Sequence, residues 1–481
     1  MTIKMKLLHF GINPFERDRE EDVSFKKIIF FFTIFLERNR GLPSNDVICE
    51  VGGSELLLTH SGIRFLKRSV PFLTNRKIQC HTILTAPLIQ LFLNAKSSYC
   101  LFMIHDIEKG LKTQPGFCMA MTVKLPTVPI DNDIETHDKV FNSLLVHSYH
   151  MFRLFMGSMN SALTVAEQPE GELEQLKLRA TYFYSKHLQM MPLEDADLAD
   201  AFLGIQFLPM DKLSFLKVRS LVSHVEQTYP CITSSTVLYQ DQIVWTGLCQ
   251  DDVQLIYNYL TTKLFPASTS LSSETRYLTG PSDVHNHSSE MRTPHVFLNH
   301  SQGAPDECQL VVYRVAGVTI CLFVSASIEL NHDFFVSLDA TLGPRILALS
   351  ADVAEQALLR KTPSLNIGTD SIRFLYFNQW NMAFKSTLHQ SIPGHRRVLQ
   401  CQPSANNDVI KTCADLCEDF SSFGEGEIVV KTKSDAWVLG KLSNQRHLYV
   451  VVTRKNAELV EICDEVRRLR NILFKDILLL E

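Results

Sequence analysis

Hydrophobic and polar positions in the second half of the chain follow a strand period in some segments and a helix period in others. Residues 236–246 and 310–324 each form a hairpin pattern, with β-branched and aromatic residues on both arms of a short turn. Apolar residues at three- and four-residue steps follow each hairpin and predict helices over 253–264 and 333–359. We expect Asp251 or Asp252 to cap the first of these helices and Pro266 to end it.

The same order of elements returns towards the C-terminus. Strands are predicted at 372–377, 382–386, 427–432, 437–442 and 448–453, with helices over 408–420 and from Asn456 onwards. The order strand, strand, helix, strand, strand, strand, helix therefore occurs twice, and the N-terminal third is compatible with a further copy. This order predicts an α+β protein of three tandem domains, each a five-stranded, mostly antiparallel sheet with flanking helices, similar to the longin fold.

The N-terminal third has fewer clear signals. We predict strands at 7–12, 26–35 and 117–124, a short helix at 87–93 and a long helix at 137–159. No sustained period runs through residues 38–85. The predicted division of the chain is a first domain at 1–165, a helical connector at 166–228, which holds a helix at 170–191, a second domain at 229–360 and a third at 361–481.

One stretch, residues 197–226, joins the predicted first domain to the other two. A short apolar segment at 202–208 is ended by Pro209, which lacks a backbone donor. Asp211 then occupies the N-cap position of a helix over 212–225. Its expected inward face is apolar at helical spacing and consists of Leu213, Leu216, Leu221 and Val225.

Composition and charge exclude several classes of protein. A net charge of −5 argues against a nucleic-acid binder. The 12 cysteines contain no CxxC pair, which favours the reducing cytosol over a disulfide scaffold. The longest apolar run, 28–36, is far shorter than the ~20 residues of a membrane-spanning helix, and a buried strand is the better interpretation.

Motifs for catalysis are missing from the sequence: there is no P-loop, GxSxG elbow or HExxH pair. The remaining candidates are better explained by structure than by chemistry. We interpret His285 and His287 as loop residues rather than metal ligands, and Cys413 and Cys417 as core thiols. The three tryptophans are expected in the core: Trp245, Trp380 and Trp437. A local basic cluster is expected on a solvated face or, less favoured, in contact with lipid phosphates; it consists of Arg64, Lys67, Arg68, Arg76 and Lys77. We therefore expect no catalytic residue, no metal and no cofactor, and a protein that works through binding surfaces.

Several long motifs resemble those of the Ccz family of vacuolar-fusion proteins. They are FLGIQFLPMDKLSFLK (202–217), LYQDQIVWTGLCQDDVQLIYNYLTTKLFP (238–266), YLTGP (277–281), YFNQWNMAFKSTLH (376–389) and SDAWVLGKLSNQRHLYVVV (434–452). The resemblance runs from about Pro115 to the C-terminus, with the motifs in the family's order. Between about Thr33 and Gly110 the chain is longer than the family pattern.

The resemblance implies a tri-longin subunit that pairs with a Mon subunit. That heterodimer is a guanine-nucleotide exchange factor for the late-endosomal Rab GTPase, acting in endosome maturation, autophagosome–lysosome fusion and vacuole fusion. It also implies a cytosolic protein recruited peripherally to endosome, lysosome or vacuole membranes that contain phosphoinositides. The first domains of the two subunits would form the GTPase platform. In this chain we predict the contact at Ile29 and Phe31 of the second strand and at Leu88 and Phe92 of the short helix, although all four would equally suit a domain core.

Two other functions remain open at this point. A non-catalytic longin scaffold or adaptor would bind the GTP-loaded GTPase instead of the nucleotide-free form. An exchange factor of the Hermansky–Pudlak type has a similar tri-longin plan and would be distinguished by its partner. The motifs favour the Ccz family over the latter.

Overall fold

The computed structural model describes a large part of the chain, which falls into two compact units, Met1–Ala196 and Asp197–Glu481. Each unit is described by itself, and the predicted division into four segments stays a prediction. The described residues are 2–12, 28–37, 47–51, 54–59, 62–65, 99–104, 117–124, 138–158, 169–187, 198–268, 276–281, 283, 291–299, 306–360, 372–390, 398–399, 403–453 and 458–473.

The strands and helices of the described residues are numbered in chain order. The strands are β1 (Thr2–Ile12), β2 (Ile28–Glu37), β3 (Val47–Val51), β4 (Ser54–Thr59), β5 (Gly62–Phe65), β6 (Tyr99–Ile104), β7 (Phe117–Lys124), β8 (Ile232–Tyr239), β9 (Gln242–Thr246), β10 (Tyr277–Pro281), β11 (Met291–Arg292), β12 (His295–Leu298), β13 (Asp306–Val315), β14 (Val318–Ser325), β15 (Ile372–Asn378), β16 (Phe384–Ser386), β17 (His389–Gln390), β18 (Val398–Leu399), β19 (Gly426–Lys431), β20 (Trp437–Ser443) and β21 (Arg446–Val452). The helices are α1 (Asp138–Met156), α2 (Pro169–His187), α3 (Leu198–Phe202), α4 (Lys212–Thr228), α5 (Gln250–Tyr259), α6 (Phe265–Ser268), α7 (His332–Arg360), α8 (Pro403–Phe423) and α9 (Leu459–Leu473).

The first unit contains a four-stranded sheet with the order β1-β2-β7-β6, in which only the central β2–β7 pair is parallel. A separate three-stranded sheet, β3-β4-β5, lies where the sequence shows no sustained period. The strand predicted at 117–124 and the helix predicted at 137–159 are both confirmed. The helix predicted at 87–93 lies outside the described residues. Helices α1 and α2 pack through aromatic rings, with Phe152 stacked on Tyr184 at 5.4 Å.

The second unit contains two larger sheets that share one strand order, together with the two-stranded sheet β17-β18. The sheet of the predicted second domain runs β9-β8-β14-β13-β10, with β11 and β12 added beside β10 and β13. The sheet of the predicted third domain runs β16-β15-β21-β20-β19. In both, the first strand of the domain lies between the second and the last, and every pairing is antiparallel. The α+β interpretation with longin-like domains is confirmed.

One face of the second-domain sheet is covered by α4 and α7, which share its hydrophobic core. Helix α7 supplies Phe335, Leu338, Leu342 and Ile346, all fully buried. By length and composition alone, His332–Leu359 also qualifies as a candidate membrane span. Its burial against the sheet identifies it as a core helix, because a helix that packs its apolar stripe on a sheet passes the same composition test.

The third-domain sheet is covered on both faces. Helix α8 packs Val409, Leu416 and Phe420 against one face, together with α3. Helix α9 packs Ile462 and Val466 against the other. Residues of one strand therefore alternate between two cores, as the two-residue period of a strand requires.

The helix after the first hairpin of the second unit does not end where Pro266 was expected to end it. A π-helical turn, Leu260–Leu264, follows α5, and α6 continues to Ser268. The Phe265 N–H donates to the Leu260 carbonyl, five residues back. The prediction was wrong because proline is tolerated in the first turn after such a break, where its missing N–H is not needed.

Candidate interaction surfaces

The apolar segment 202–208, called the bridging segment from here on, is paired with both sheets of the second unit. On one side, the Ile205 N–H donates to the Met382 carbonyl at 2.7 Å, and the Phe384 N–H donates to the Ile205 carbonyl at 2.8 Å. These bonds form a parallel bridge between Ile205 and Ala383, at the edge of the third-domain sheet. The bridging segment therefore extends that edge by a short stretch of strand.

The next residues of the bridging segment pair with the edge of the other sheet. The Leu208 N–H donates to the Ile243 carbonyl at 2.9 Å, and the Ile243 N–H donates to the Gln206 carbonyl at 2.8 Å. Because an open sheet edge exposes unpaired backbone groups, this arrangement protects two edges with one short segment. It also explains why residues 197–481 form one compact unit.

Side chains reinforce this junction. The Phe202 ring stacks on Phe377 at 4.4 Å and lies 5.2 Å from the His447 ring. Gln254 Nε2 donates to the Leu203 carbonyl at 3.0 Å. Gln250 Nε2 donates to the Gln379 carbonyl at 3.2 Å, which joins α5 to the hairpin of the third domain. The polar groups named here bond to protein, so the junction is a structural connection rather than a reaction site.

The first two turns of α4 carry exposed apolar side chains that we call the α4 patch: Leu213, Phe215 and Leu216. Their exposed fractions are 63%, 41% and 52%. Of the four residues predicted to face inward, Leu221 and Val225 are buried as expected. The prediction was wrong for Leu213 and Leu216, because the helix buries Ser214, Val218 and Val222 instead. The cap was predicted correctly.

The Asp211 side chain accepts from the Leu213 and Ser214 N–H groups at 3.1 and 3.3 Å. Hydrogen bonds from Ser214 and from these backbone groups lower the pKa of Asp211, since each favours the carboxylate over the neutral acid. The start of α4 is therefore fixed by the cap, and the α4 patch is presented by a well-formed helix.

Outward-facing apolar residues also occur on α7. Val336, Leu347, Leu358 and Leu359 are exposed, while the opposite side of the same helix is buried in the core. Helices α4 and α7 run antiparallel. Lys217, near the start of α4, pairs with Asp352 in the second half of α7 at 2.6 Å, and Tyr229, after α4, bonds to Ser337 at 2.9 Å. The α4 patch therefore lies level with the last turns of α7.

Trp380 is another exposed apolar group, and its expected core position was wrong. Its side chain is 65% exposed in the turn between β15 and β16. That turn is fixed by side chains: Asn378 Oδ1 accepts from the Trp380 N–H, and Asn381 Oδ1 from the Ala383 N–H, both at 3.0 Å. Tryptophan is over-represented among residues that dominate binding, so the turn is a candidate contact.

Asp251 or Asp252 was expected as a helix cap, and this prediction was also wrong, because both lie inside the first turn of α5. Cys249 occupies the N-cap of α5 without a side-chain cap bond. Asp252 is buried, and its carboxylate accepts from the Asn299 N–H and from Asn299 Nδ2, both at 2.7 Å, and from Cys249 Sγ at 3.2 Å. It therefore attaches the end of β12 to α5.

Buried titratable groups in the second unit are explained by packing. Cys413 and Cys417 are buried in the third-domain core, as predicted. Burial raises the pKa of the Cys321 thiol to about 12, which makes it inert as a nucleophile. Burial also lowers the pKa of Lys263, in the π-helical turn, to about 8. Within the part of the chain that the structure describes, no three or more His, Cys, Asp or Glu side chains converge as metal ligands. His285 and His287 lie outside it.

Comparison with known proteins places this architecture in a family. Sequence-family models described as Intu longin-like domain 2 and Intu longin-like domain 3 match residues 232–343 and 368–469, respectively. A vacuolar fusion protein CCZ1 homolog from Danio rerio is 32% identical over 494 residues, covering 99% of this chain and 96% of that protein. The chain belongs to the vacuolar fusion protein CCZ1 family.

Other members of the CCZ1 family match in the same way. The homolog from Xenopus laevis is 34% identical over 76% of this chain and 82% of its own length, and that from Nematostella vectensis 35% identical over the same shares. These relatives are named for vacuolar fusion, so a role in vacuole fusion and its trafficking follows from family membership. Membership of this family explains why the long sequence motifs resemble those of Ccz proteins.

The predicted GTPase-contact residues of this CCZ1-family chain are only partly within the described structure. Ile29 and Phe31 both belong to β2. Strand β2 lies between β1 and β7, so its backbone groups are paired on both sides and the strand is not a sheet edge. Leu88 and Phe92 lie outside the described residues. The contact itself stays a prediction.

Proposed function

We propose that this chain is one subunit of a heterodimeric guanine-nucleotide exchange factor, with a Mon subunit as its partner and the late-endosomal Rab GTPase as its target. The complex would act in endosome maturation, autophagosome–lysosome fusion and vacuole fusion, recruited from the cytosol to phosphoinositide-containing membranes. The observation that carries the proposal is membership of the CCZ1 family over nearly the whole chain. The exposed apolar helix surface of the second unit is consistent with a protein that works through binding.

Nucleotide exchange suits such a molecule because it requires no covalent chemistry. A surface that binds the nucleotide-free GTPase more tightly than the loaded one shifts the equilibrium by that difference in affinity. Displacing a switch loop removes contacts to Mg²⁺ and phosphate, so GDP dissociates faster. In this proposal Ile29 and Phe31, with Leu88 and Phe92, contribute to the GTPase contact, and the Mon subunit supplies the larger share.

The decisive experiment measures release of fluorescent GDP from the late-endosomal Rab. The chain alone is expected to be nearly inactive, and the chain purified with the Mon subunit to accelerate release by orders of magnitude. A matched complex with Phe31→Asp is expected to lose most of this acceleration. Failure of the wild-type complex to accelerate release would rule out the exchange function.

The alternative is that the chain is a non-catalytic longin adaptor, which would bind its partners through the same exposed surfaces. The two functions differ in which form of the GTPase is bound. Immobilised GTPase in the nucleotide-free and the GTP-loaded state separates them in one binding experiment. An exchange factor is retained on the nucleotide-free form, whereas an adaptor is retained on the GTP-loaded form.

A further inference from the structure

Helix α4 combines exposed apolar groups with positive charge in a way that the core of the second domain does not require. We propose that the α4 patch, with the basic side chains around it, is a contact site for anionic membrane surfaces. This proposal rests on the proposed recruitment of the chain to membranes, and it identifies the part of the molecule that would make the contact.

The patch lies on the side of α4 that faces away from the sheet. Each helical residue turns by about 100°, so Leu216 lies opposite the buried positions Val218, Leu221 and Val225. Leu213 is one turn before Leu216 on the same side, and Phe215 is on the flank. Three large apolar side chains within four residues thus project outwards from one helix whose other side is anchored in the core.

The charged residues near the patch on α4 are basic, while the one acid of this helix, Glu226, lies near its C-terminal end and accepts from the Ser235 hydroxyl at 2.7 Å. Residues 212–225 contain Lys212, Lys217 and Arg219 and no aspartate or glutamate. Lys217 pairs with Asp352 of α7, and the Arg219 guanidinium lies 4.8 Å from the Trp245 ring centroid. Lys212 is exposed beside Leu213 in the first turn. A positive charge at the N-terminus of a helix interacts unfavourably with the helix dipole, so Lys212 does not stabilise α4 in this way.

This combination fits a membrane better than a protein partner. Helices that lie on membranes carry Phe and Leu on one face with Lys and Arg beside them, and they gain affinity from both apolar burial and anionic lipids. The centres of protein interfaces are depleted in lysine. The outer side of α7 provides the contrast, because charges of both signs lie among its exposed apolar residues, with Arg345 near Leu347 and Glu355 near Leu358.

The test uses the full-length chain, in the complex in which it purifies, and vesicles of phosphatidylcholine with or without phosphatidylserine. We expect the protein to co-sediment with the anionic vesicles and this binding to weaken when salt is added. Binding to vesicles of phosphatidylcholine alone is expected to be weak. The variant Leu213→Asp/Leu216→Asp is expected to lower binding about tenfold. The matched variant Val336→Asp/Leu347→Asp, on the part of α7 that lies away from the α4 patch, is expected to bind as the wild type does.

A second variant separates lost binding from lost folding. Lys212→Glu removes a positive charge but places an acid in the first turn, where it favours the helix dipole. It is expected to melt no lower than the wild type and to bind anionic vesicles about fivefold more weakly. GDP release measured in solution, without vesicles, is expected to be unchanged in both α4 variants, so failure of the exchange function would be seen separately.

Three outcomes would overturn the proposal. The first is wild-type sedimentation by Leu213→Asp/Leu216→Asp, and the second is equal binding of the wild type to neutral and anionic vesicles. In the third, the Leu213→Asp/Leu216→Asp variant no longer co-purifies with a partner subunit, but the variant still binds anionic vesicles. That result would assign the α4 patch to a protein interface.

Discussion

Gly204 faces Phe384 so closely that a methyl group on Gly204 would lie 2.2 Å from the Phe384 Cβ. The two residues are held in place by the neighbouring backbone pair, Ile205 and Phe384, whose hydrogen bond is 2.8 Å long. The glycine is therefore required by the close approach of two chains where the bridging segment meets the third-domain sheet. A larger residue would have to push this pairing apart.

We predict that Gly204→Ala lowers the free energy of unfolding of the second unit by about 1–3 kcal/mol, the usual cost of overpacking. The measurement is denaturant or thermal unfolding of the wild type and the variant. Gly426→Ala is the matched control, because no atom lies within 4 Å of the position its methyl group would take. Equal unfolding of the two variants would contradict the role given to Gly204.

A second prediction concerns neighbouring acids of which one is buried. Asp252→Ala leaves the partly buried Asn299 N–H without its acceptor, whereas Asp251 is exposed in the first turn of α5. We expect Asp252→Ala to cost about 2–3 kcal/mol of unfolding free energy and Asp251→Ala about 0.5 kcal/mol or less. Unfolding midpoints of the two variants give the comparison. A larger loss from Asp251→Ala would show that helix capping, rather than the Asn299 contact, is the main role of this pair.

The hairpins and the repeated order of elements could be predicted from sequence, because strand and helix periods are local properties. The contacts of Asp252 could not, since Asn299 is distant in the chain and no local pattern relates the two. For the same reason, the pairing of the bridging segment could not be predicted, because its partners Ile243 and Met382 are distant in the chain and lie at the edges of different sheets. Leu213 and Leu216 were misplaced because helical spacing gives the face of an apolar residue but not whether that face meets the core.

The cap of α4 provides a third prediction. Asp211→Ala removes the acceptor for two free N–H groups of the first turn, and we expect the variant to unfold at a lower temperature than the wild type. Asp211→Asn retains a capping side chain and is expected to lose less. Thermal unfolding of both variants checks this order. If the two variants melt together well below the wild type, the negative charge of Asp211 rather than its capping bond accounts for the loss.

The last prediction concerns pH and the ammonium group of Lys263. Burial lowers its pKa from 10.5 to about 8, so the folded chain releases this proton at a lower pH than the unfolded chain does. Below pH 8 both states are charged and the folded state bears the whole cost of burying the charge. Between pH 8 and 10.5 the unfolded state binds more protons, so this group makes stability rise with pH.

Lys263→Met removes the buried charge and retains an apolar chain of similar length. At pH 7 we expect the variant to be more stable than the wild type by about 1–2 kcal/mol, less than the full pKa shift implies because the group is partly exposed. The difference should shrink as the pH is raised from 7 to 10, since the wild-type amine then becomes neutral. Thermal unfolding of both proteins across this range measures the difference. A gap that stays constant with pH would show that packing, not the charge of Lys263, separates the two proteins.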